Sequence, residues 1–245
     1  MDTTTASLLA FDTSTEHLSV ALSHHGRVFT RDGAGGAQSS TTLIPAVQAV
    51  LADAGIGFGQ LDAIVFGRGP GSFTGLRTAT AAAQGMAYGG RPGGLPVLPV
   101  DTLLAVAEEA RVLHGAERVV AALDARMDEV YFCAYAWDTV RGAWQAEGDF
   151  GLGKPESVAV PPGWTLAGTA RAAYGERIAP QAPAVAALPT ATALLRLAPA
   201  LVAAGGLLPA AEALPLYIRD KVAKTVAERL MERNAAVAAA LETLA

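Results

Sequence analysis

Apolar residues in the first part of the chain follow the spacing of β-strands. Residues 7–11 form an almost unbroken apolar run, and in residues 18–22 leucine or valine occupies every second position. An unbroken run is typical of a strand buried on both faces, and alternation is typical of a strand with one buried face. Turn-forming residues 12–15 and 24–26 separate these segments. The pattern therefore predicts a three-stranded meander that ends near Arg31.

Helical spacing follows the meander. It predicts a first helix over residues 41–54, with Pro45 tolerated in the first turn. A short strand over residues 62–66 then leads into a second helix that reaches about Tyr88, and a further strand precedes a third helix that ends near His114. The apolar positions of the first helix recur every three or four residues and are Leu43, Val47, Val50 and Ala54.

The second half of the chain repeats this order. A strand over residues 118–123, a turn over residues 124–127 and two further strands up to Phe150 precede a weakly patterned, proline-rich stretch. A helix over residues 190–204, interrupted by Pro199, follows it. Two successive units of strands followed by a helix predict a duplicated α/β architecture.

Composition and charge exclude some classes of function. The chain has 245 residues, 51% of them hydrophobic, which is enough for one large globular unit or two smaller halves. Its formal net charge is -5 and its basic residues are scattered, so we do not expect tight, unaided binding to nucleic acid. The single cysteine, Cys133, lies in an apolar stretch and is interpreted as a buried residue. Since we find no secretion signal and no uncharged apolar run of membrane-spanning length, we expect a cytoplasmic protein without a membrane partner.

The turn after the first strand is a candidate phosphate site. Asp12 is followed by three hydroxyl residues that begin with Thr13 and Ser14. Backbone N–H groups and hydroxyls can bind a phosphate, and the carboxylate can bind the metal ion that accompanies it. The alternative is a plain hairpin turn, held by hydrogen bonds between its side chains and the backbone.

A glycine-rich loop over residues 67–77 is a second candidate. Its glycines free the backbone for unusual dihedral angles, and Ser72 or Thr74 can cap the following helix, whose N-terminus is an anion site. The alternative is that the glycines serve close packing. The loop lacks the Gly-Lys-Ser/Thr of a Walker A motif and the glycine order of a dinucleotide-binding fold. The candidate phosphate-binding residues of this loop are Gly69, Gly71, Ser72, Thr74, Gly75 and Arg77.

The histidines do not form a metal site on a helix. Imidazoles on one helix face need a spacing of three or four residues, and no two histidines have it. They are His17, His24, His25 and His114. We therefore predict no metal ligands in this chain.

Four segments carry a family resemblance: residues 9–15 (LAFDTST), 67–77 (GRGPGSFTGLR), 123–131 (LDARMDEVY) and 214–219 (LPLYIR). Together they resemble the TsaB (YeaZ) family, a branch of the actin and sugar-kinase superfamily. The resemblance implies an actin-like, ribonuclease H-like duplicated α/β fold with two subdomains, each a mixed sheet with flanking helices. The implied units are an N-terminal subdomain over residues 1–105 and a C-terminal subdomain over 106–221. Beyond them, Val226, Leu230, Val237 and Leu241 recur near helical spacing and predict a helical tail over 222–245, which the resemblance does not explain.

The resemblance also implies a role as an accessory subunit. The family is the non-catalytic partner of TsaD, which transfers threonylcarbamoyl to the adenosine beside the anticodon of ANN-decoding tRNAs in a complex that includes the ATPase TsaE. TsaD binds its metal through two histidines, and the corresponding positions here are Thr102 and Val106, which cannot replace imidazoles. The turn that begins at Asp124 carries the bulky Arg126 and Met127 where kinase-type relatives have a glycine-rich phosphate loop. We therefore expect no tightly bound cofactor, and ATP or ADP only weakly, at the interface of the complex.

The implied partners are a second copy of the chain when it is alone, TsaD and TsaE in the complex, and tRNA only indirectly. The family associates through the two helices of its first subdomain, and burial of an apolar stripe gives this association a physical basis. The alternative is that the stripe faces its own sheet. The predicted interface consists of Leu43, Val47, Val50, Ala54, Leu76, Thr80 and Ala83.

Two other functions compete with the accessory role. One is an independent ATP-binding transferase or kinase that uses Asp12, Thr13 and Asp124. The other is a metallopeptidase, against which the missing histidine pair argues.

Overall fold

The first half of the chain forms a five-stranded mixed sheet. The computed structural model describes Thr3 and residues 5–219, so the helix predicted after Val222 lies outside the described residues. The strands of this sheet are β1 (Leu8–Asp12), β2 (His17–His24), β3 (Arg27–Ala34), β4 (Ala63–Gly69) and β5 (Val97–Asp101). Their order is β3-β2-β1-β4-β5, with β1 antiparallel to β2 and parallel to β4. The predicted meander is confirmed as β1 to β3.

Helices cover both faces of this sheet. The helices of the described chain are α1 (Ser39–Ala54), α2 (Phe73–Gly90), α3 (Thr102–His114), α4 (Ala170–Tyr174) and α5 (Ala191–Ala203). Leu9 and Phe11 of β1 lie in the core shared with α1 and α2. Leu8 and Ala10 lie in the core shared with α5. Because successive side chains of a strand point to opposite faces, β1 is apolar on both of them.

The first helix begins earlier than predicted. α1 starts at Ser39, two residues before the predicted start, so Pro45 lies in the second turn. Proline has no N–H group, so the carbonyl of Thr41 receives no helical hydrogen bond from it. Both residues are exposed, so water can reach that carbonyl. Gly55, with φ 71°, ends the helix in the left-handed conformation that glycine adopts without strain.

The second half forms a six-stranded mixed sheet. Its strands are β6 (Arg118–Asp124), β7 (Val130–Asp138), β8 (Ala143–Ala146), β9 (Gly151–Gly153), β10 (Thr165–Gly168) and β11 (Ala184–Val185). The order is β11-β10-β6-β7-β8, and β9 also pairs with β7. The last predicted strand, which ended at Phe150, is wrong in extent, because β8 ends at Ala146 and the next strand, β9, begins only at Gly151. Two mixed sheets with flanking helices confirm the duplicated α/β fold. Cys133 is buried in β7, as interpreted, and burial raises the pKa of its thiol.

α3 and α5 pack against each other and join the two halves. α3 contributes Leu103 and Val106 to the core of the second sheet, whereas α5 contributes Leu194 to the core of the first. α5 continues through Pro199, so its predicted interruption is wrong. The predicted boundary between residues 105 and 106 falls inside α3. The halves therefore exchange helices across that boundary.

Buried charged groups reinforce the contact between α3 and α5. The Glu108 carboxylate is 2% exposed and accepts hydrogen bonds of 2.9 and 3.0 Å from Arg111. It also accepts from Arg196 Nε of α5, at 3.1 Å, and from Trp144 Nε1 of β8, at 3.0 Å. Arg196 binds the neighbouring Glu109 as well. One carboxylate thus receives donors from α3, α5 and the second sheet.

Candidate functional site

A cleft of about 1080 Å³ lies between the two halves. The turn between β1 and β2 and the N-terminus of α2 line one wall, and the turn between β6 and β7 lines the other. Residues 214–219, which we call the strap, also line it. Apolar and aromatic side chains form much of the lining. The charged and hydroxyl-bearing residues of the lining are Ser14, Thr15, Glu16, His17, Ser72, Asp124, Arg126, Tyr131, Thr169, Tyr217 and Arg219.

Asp12 ends β1 but does not reach the cleft, because it is fully buried. Its Oδ1 accepts hydrogen bonds from the backbone N–H of Ser14 at 2.8 Å and from the Ser14 hydroxyl at 2.6 Å. Burial raises the pKa of Asp12 to about 6, although these hydrogen bonds favour the ionised form. The Thr13 hydroxyl donates to the carbonyl of Gly75 at 2.7 Å. These contacts favour the hairpin-turn alternative over a phosphate site.

The second carboxylate oxygen of Asp12 has no hydrogen-bond partner among the described residues. It lies against the Cα of Gly67, where a β-carbon would be 1.8 Å away. The Thr102 hydroxyl, at the start of α3, is adjacent to the carboxyl group and is also without a partner in the described chain. Gly67 is therefore required by this close approach, since any side chain there would collide with Asp12.

The glycine-rich loop packs on the chain's own backbone. A β-carbon at Gly71 would lie 2.5 Å from the carbonyl oxygen of Ser14, and one at Gly75 would lie 1.8 Å from that of Thr13. The Ser72 N–H donates to the Ser14 carbonyl at 2.7 Å, and the Ser72 side chain caps α2, as predicted. Close packing against the β1–β2 turn accounts for these glycines, and an anion would have to displace that turn.

The turn between β6 and β7 has an unusual backbone. Arg126, Met127 and Asp128 have φ of 59°, 57° and 61°, three consecutive left-handed residues that are not glycine. The Asp124 carboxylate, which lines the cleft, accepts from the Arg126 N–H at 2.8 Å and from the Tyr174 hydroxyl at 2.7 Å. Asp124 therefore serves to hold this turn.

The strap connects the glycine-rich loop to the β6–β7 turn. The Leu216 N–H donates to the Arg68 carbonyl at 2.7 Å, and Gly69, with φ 118°, leaves room for the Leu216 carbonyl. At the other end, Arg219 donates to the Ala125 carbonyl at 2.9 Å and pairs with a carboxylate of the same turn. The sequence pattern did not predict this role, and only the family resemblance of residues 214–219 pointed to the segment.

The charges of the cleft do not fit a nucleotide phosphate. Arg126 pairs with Glu16 at 2.9 Å and with Asp124 at 3.3 Å, and Arg219 pairs with Glu129. The described lining contains no other arginine and no lysine. A phosphate in this cleft would meet carboxylates and paired cations, so the charged residues of the lining do not fit ATP or ADP.

Four candidate residues of the glycine-rich loop lie outside the cleft lining: Gly69, Thr74, Gly75 and Arg77. Thr74 and Arg77 are on the exposed side of α2. The Arg77 guanidinium lies 3.8 Å from the centre of the Phe73 ring, and its Nε donates to the Tyr217 hydroxyl at 3.2 Å. Phe73 and Tyr217 also contact each other, with ring centres 5.3 Å apart. Arg77 and Phe73 of α2 thus form an exposed cluster with Tyr217 of the strap.

The positions that correspond to the TsaD histidines lie one turn apart on α3. Both Thr102 and Val106 are fully buried. Within the described part of the chain, no three histidine, cysteine, aspartate or glutamate residues are grouped to hold a metal ion. A hydroxyl and an isopropyl group at these positions offer nothing that replaces two imidazoles.

The predicted interface requires correction. Leu43, Val47 and Val50 are at most 1% exposed and pack on the first sheet, so the alternative, that this stripe faces its own sheet, is confirmed. Helix α1 must cover the sheet, and its most apolar face does so. The predicted residues that are buried or partly buried in the chain's own fold are Leu43, Val47, Val50, Ala54, Leu76, Thr80 and Ala83.

The outward faces of α1 and α2 have a different composition. On α2, the exposed side chains Arg77, Ala81 and Tyr88 share one face with the exposed Gly85, and small residues occupy its middle. On α1 the exposed residues are Ser40, Thr41, Ile44, Pro45, Gln48, Ala52 and Asp53. Ile44 and Tyr88 are 39% and 63% exposed, so apolar surface is available on both helices.

Known proteins resemble this chain in both sequence and structure. The chain is 35% identical over 226 residues to the tRNA threonylcarbamoyladenosine biosynthesis protein TsaB of Escherichia coli, an alignment that covers 88% of this chain and 96% of the relative. The chain belongs to the TsaB (YeaZ) family. A structure of YeaZ from Pseudomonas aeruginosa has a TM-score of 0.79 and 43% identity, and the match covers 87% of this chain and all of that one.

Other matches agree with membership of the TsaB family. The TsaB protein of Haemophilus influenzae is 47% identical over 134 residues, which are 55% of this chain and 56% of the relative, so that alignment spans about half of each. The family model described as TsaD, tRNA N6-adenosine threonylcarbamoyltransferase, matches residues 35–239. Within the part of the chain that the structure describes, no helix has both the length and the apolar character needed to cross a membrane.

Proposed function

We propose that this chain is the non-catalytic subunit that binds TsaD, together with TsaE, for threonylcarbamoylation of the adenosine beside the anticodon in the cytoplasm. As a TsaB family member it takes part in tRNA threonylcarbamoyladenosine biosynthesis. The observation that carries the non-catalytic role is the cleft itself. Its arginines are paired with carboxylates, and the buried Asp12 lies outside its lining.

The outward faces of α1 and α2 are the surface that we assign to partners. Small residues in the middle of the α2 face, Ala81 and Gly85, permit a neighbouring helix to approach closely, and Tyr88 is a large exposed anchor. Two copies of α2 that cross antiparallel near Ala82 bring Arg77 of one copy toward Tyr88 of the other, a favourable cation–aromatic pairing. The same face then serves a homodimer or a heterodimer with TsaD, and the two compete.

The substitution Ala81→Glu tests this surface. It places a carboxylate at the centre of the assigned contact, where desolvation without a partner is costly, so we expect dissociation of the homodimer and loss of TsaD binding. Light scattering after size-exclusion chromatography measures the dissociation of the homodimer, and co-elution with TsaD measures the binding of TsaD. Ala200→Glu, on the exposed end of α5, is the matched control and should change neither. A folded Ala81→Glu chain that still forms both dimers contradicts the assignment.

A reconstituted modification assay tests the function. TsaD, TsaE, tRNA and the enzyme that makes threonylcarbamoyl-adenylate are combined with and without this chain, and we expect modified adenosine only in its presence. The rival kinase or transferase function predicts micromolar binding of ATP and magnesium by the chain alone in calorimetry. The rival metallopeptidase function predicts a stoichiometric metal ion in the purified protein.

A further inference from the structure

The β6–β7 turn holds an unfavourable backbone conformation at the edge of the cleft. Side chains with a β-carbon disfavour the left-handed region, and here Arg126, Met127 and Asp128 adopt it in succession. Such conformations persist only where the surrounding structure enforces them, and they concentrate at functional positions. Chain reversal alone does not account for this turn.

Three side chains from two segments enforce this conformation of the turn. The Tyr174 hydroxyl bonds to the Glu129 carbonyl at 3.0 Å. Arg177 binds both carboxylate oxygens of Asp128, at 2.7 and 3.0 Å. Arg219 of the strap holds the start of the turn through the Ala125 carbonyl. With donors from the α4 region and from the strap, the backbone of the turn is fixed.

From this turn, the Arg126 side chain extends across the cleft. The Arg126 guanidinium donates to the Glu16 carboxylate at 2.9 Å, and Glu16 belongs to the β1–β2 turn of the opposite wall. The Glu16 carboxylate in turn rests on Gly36, where a β-carbon would lie 2.2 Å from its oxygen. The Glu16 and Arg126 side chains are thus each held in place by their own half of the molecule.

We propose that Glu16 and Arg126 form a reversible latch that sets how far the cleft opens. The side chains are 73% and 69% exposed, and an exposed ion pair changes an equilibrium by no more than about fivefold. The pair is therefore weak enough to break and re-form. The strap and the packed helices α3 and α5 keep the halves connected when it is broken.

Two consequences follow from an exposed ion pair. High salt screens it, so the open state gains population as ionic strength rises. A carboxylate or other anion that competes for Arg126 opens the cleft in the same way. The latch thus makes the opening between the two walls respond to ions and to partners that reach the cleft.

Spin labels on the two halves measure this opening. Labels replace Val28 on β3 and Val140 in the β7–β8 hairpin, both exposed, in a chain where Cys133→Ala removes the native thiol. The labelled chain is diluted with unlabelled chain so that only distances within one copy contribute. At low salt, Arg126→Gln is expected to raise the population of the longer distance about two- to fivefold, and high salt should do the same to the unsubstituted chain.

Two further variants separate a latch from a general loss of charge. Arg126→Lys keeps a cation opposite Glu16 and beside Asp124, and should keep the closed distribution. Arg31→Gln removes another exposed pair, with Asp53, that lies wholly within the first half, and should leave the distances unchanged. An unchanged distribution in Arg126→Gln overturns the proposal. So does an equal opening in Arg31→Gln, or an opening in Arg126→Lys as large as that in Arg126→Gln.

Discussion

At the scale of single residues, the carboxyl group of Asp12 makes stability depend on pH. Its pKa is about 6 in the fold against an ordinary value of 3.8, because burial disfavours the charge. A raised carboxyl pKa contributes stability that is fully present below about pH 4 and is lost as the pH rises through 6. A shift of this size corresponds to about 3 kcal/mol, lost by pH 8.

Asp12→Asn should remove this dependence. Asparagine has nearly the shape of the protonated carboxyl group and stays neutral at every pH. The stability of the variant relative to the unsubstituted chain should therefore increase by about 3 kcal/mol between pH 4 and pH 8. Urea unfolding of both proteins at several pH values measures the difference, in which the other titrating groups largely cancel. Asp53→Asn, at an exposed position, is the control. A difference that stays constant with pH would contradict the assigned burial cost.

The sequence predicted some of these residues well and others poorly. The run at residues 7–11 predicted a buried strand, because a short segment that is apolar on both faces is typical of a strand with helices on each side. The burial of Asp12 was not predictable, because it depends on Gly67 and Thr102, which only the folded sheet brings together. The left-handed backbone at Arg126 carries no local signal either, since no glycine or asparagine marks it.

At the scale of elements, α1 separates what periodicity can predict from what it cannot. The recurrence of Leu43, Val47 and Val50 predicted the helix end at Ala54 and its start to within two residues. Periodicity identifies the apolar face of a helix but not the surface that covers it, because a sheet and a partner helix both pack against apolar side chains. For this reason the interface prediction selected side chains that pack in the chain's own core.

The helix pair α3 and α5 depends on buried charge. Arg196→Met removes the guanidinium that serves Glu108 and Glu109, and leaves part of two carboxylate groups without donors in a dry environment. We expect a loss of about 3 kcal/mol in the free energy of unfolding, because breaking a buried pair from one side leaves uncompensated charge. Urea denaturation measures it. Arg118→Met, on an exposed strand position, should cost little. An equal loss in the two variants would show that the buried network contributes no more to stability than an exposed arginine does.

At the scale of the whole molecule, the two halves are built to unfold together. α3 starts from the first sheet and packs on the second, whereas α5 follows the second sheet in the chain and packs on the first. Separating the halves would expose both helices and the carboxylates between them. All three tryptophans, Trp137, Trp144 and Trp164, lie in the second half, so their fluorescence reports mainly on that half.

A substitution in the first half therefore tests this coupling at a distance. Val47→Ala removes two methyl groups from the core under α1 and should cost about 2 kcal/mol. If the molecule is one cooperative unit, tryptophan fluorescence and circular dichroism should report the same shift of the urea midpoint at a fixed protein concentration. Val140→Ala, at a position 94% exposed, should move neither signal. A fluorescence transition that stays in place while the dichroism transition moves would mean that the second half unfolds alone, and that the exchange of α3 and α5 does not couple the sheets.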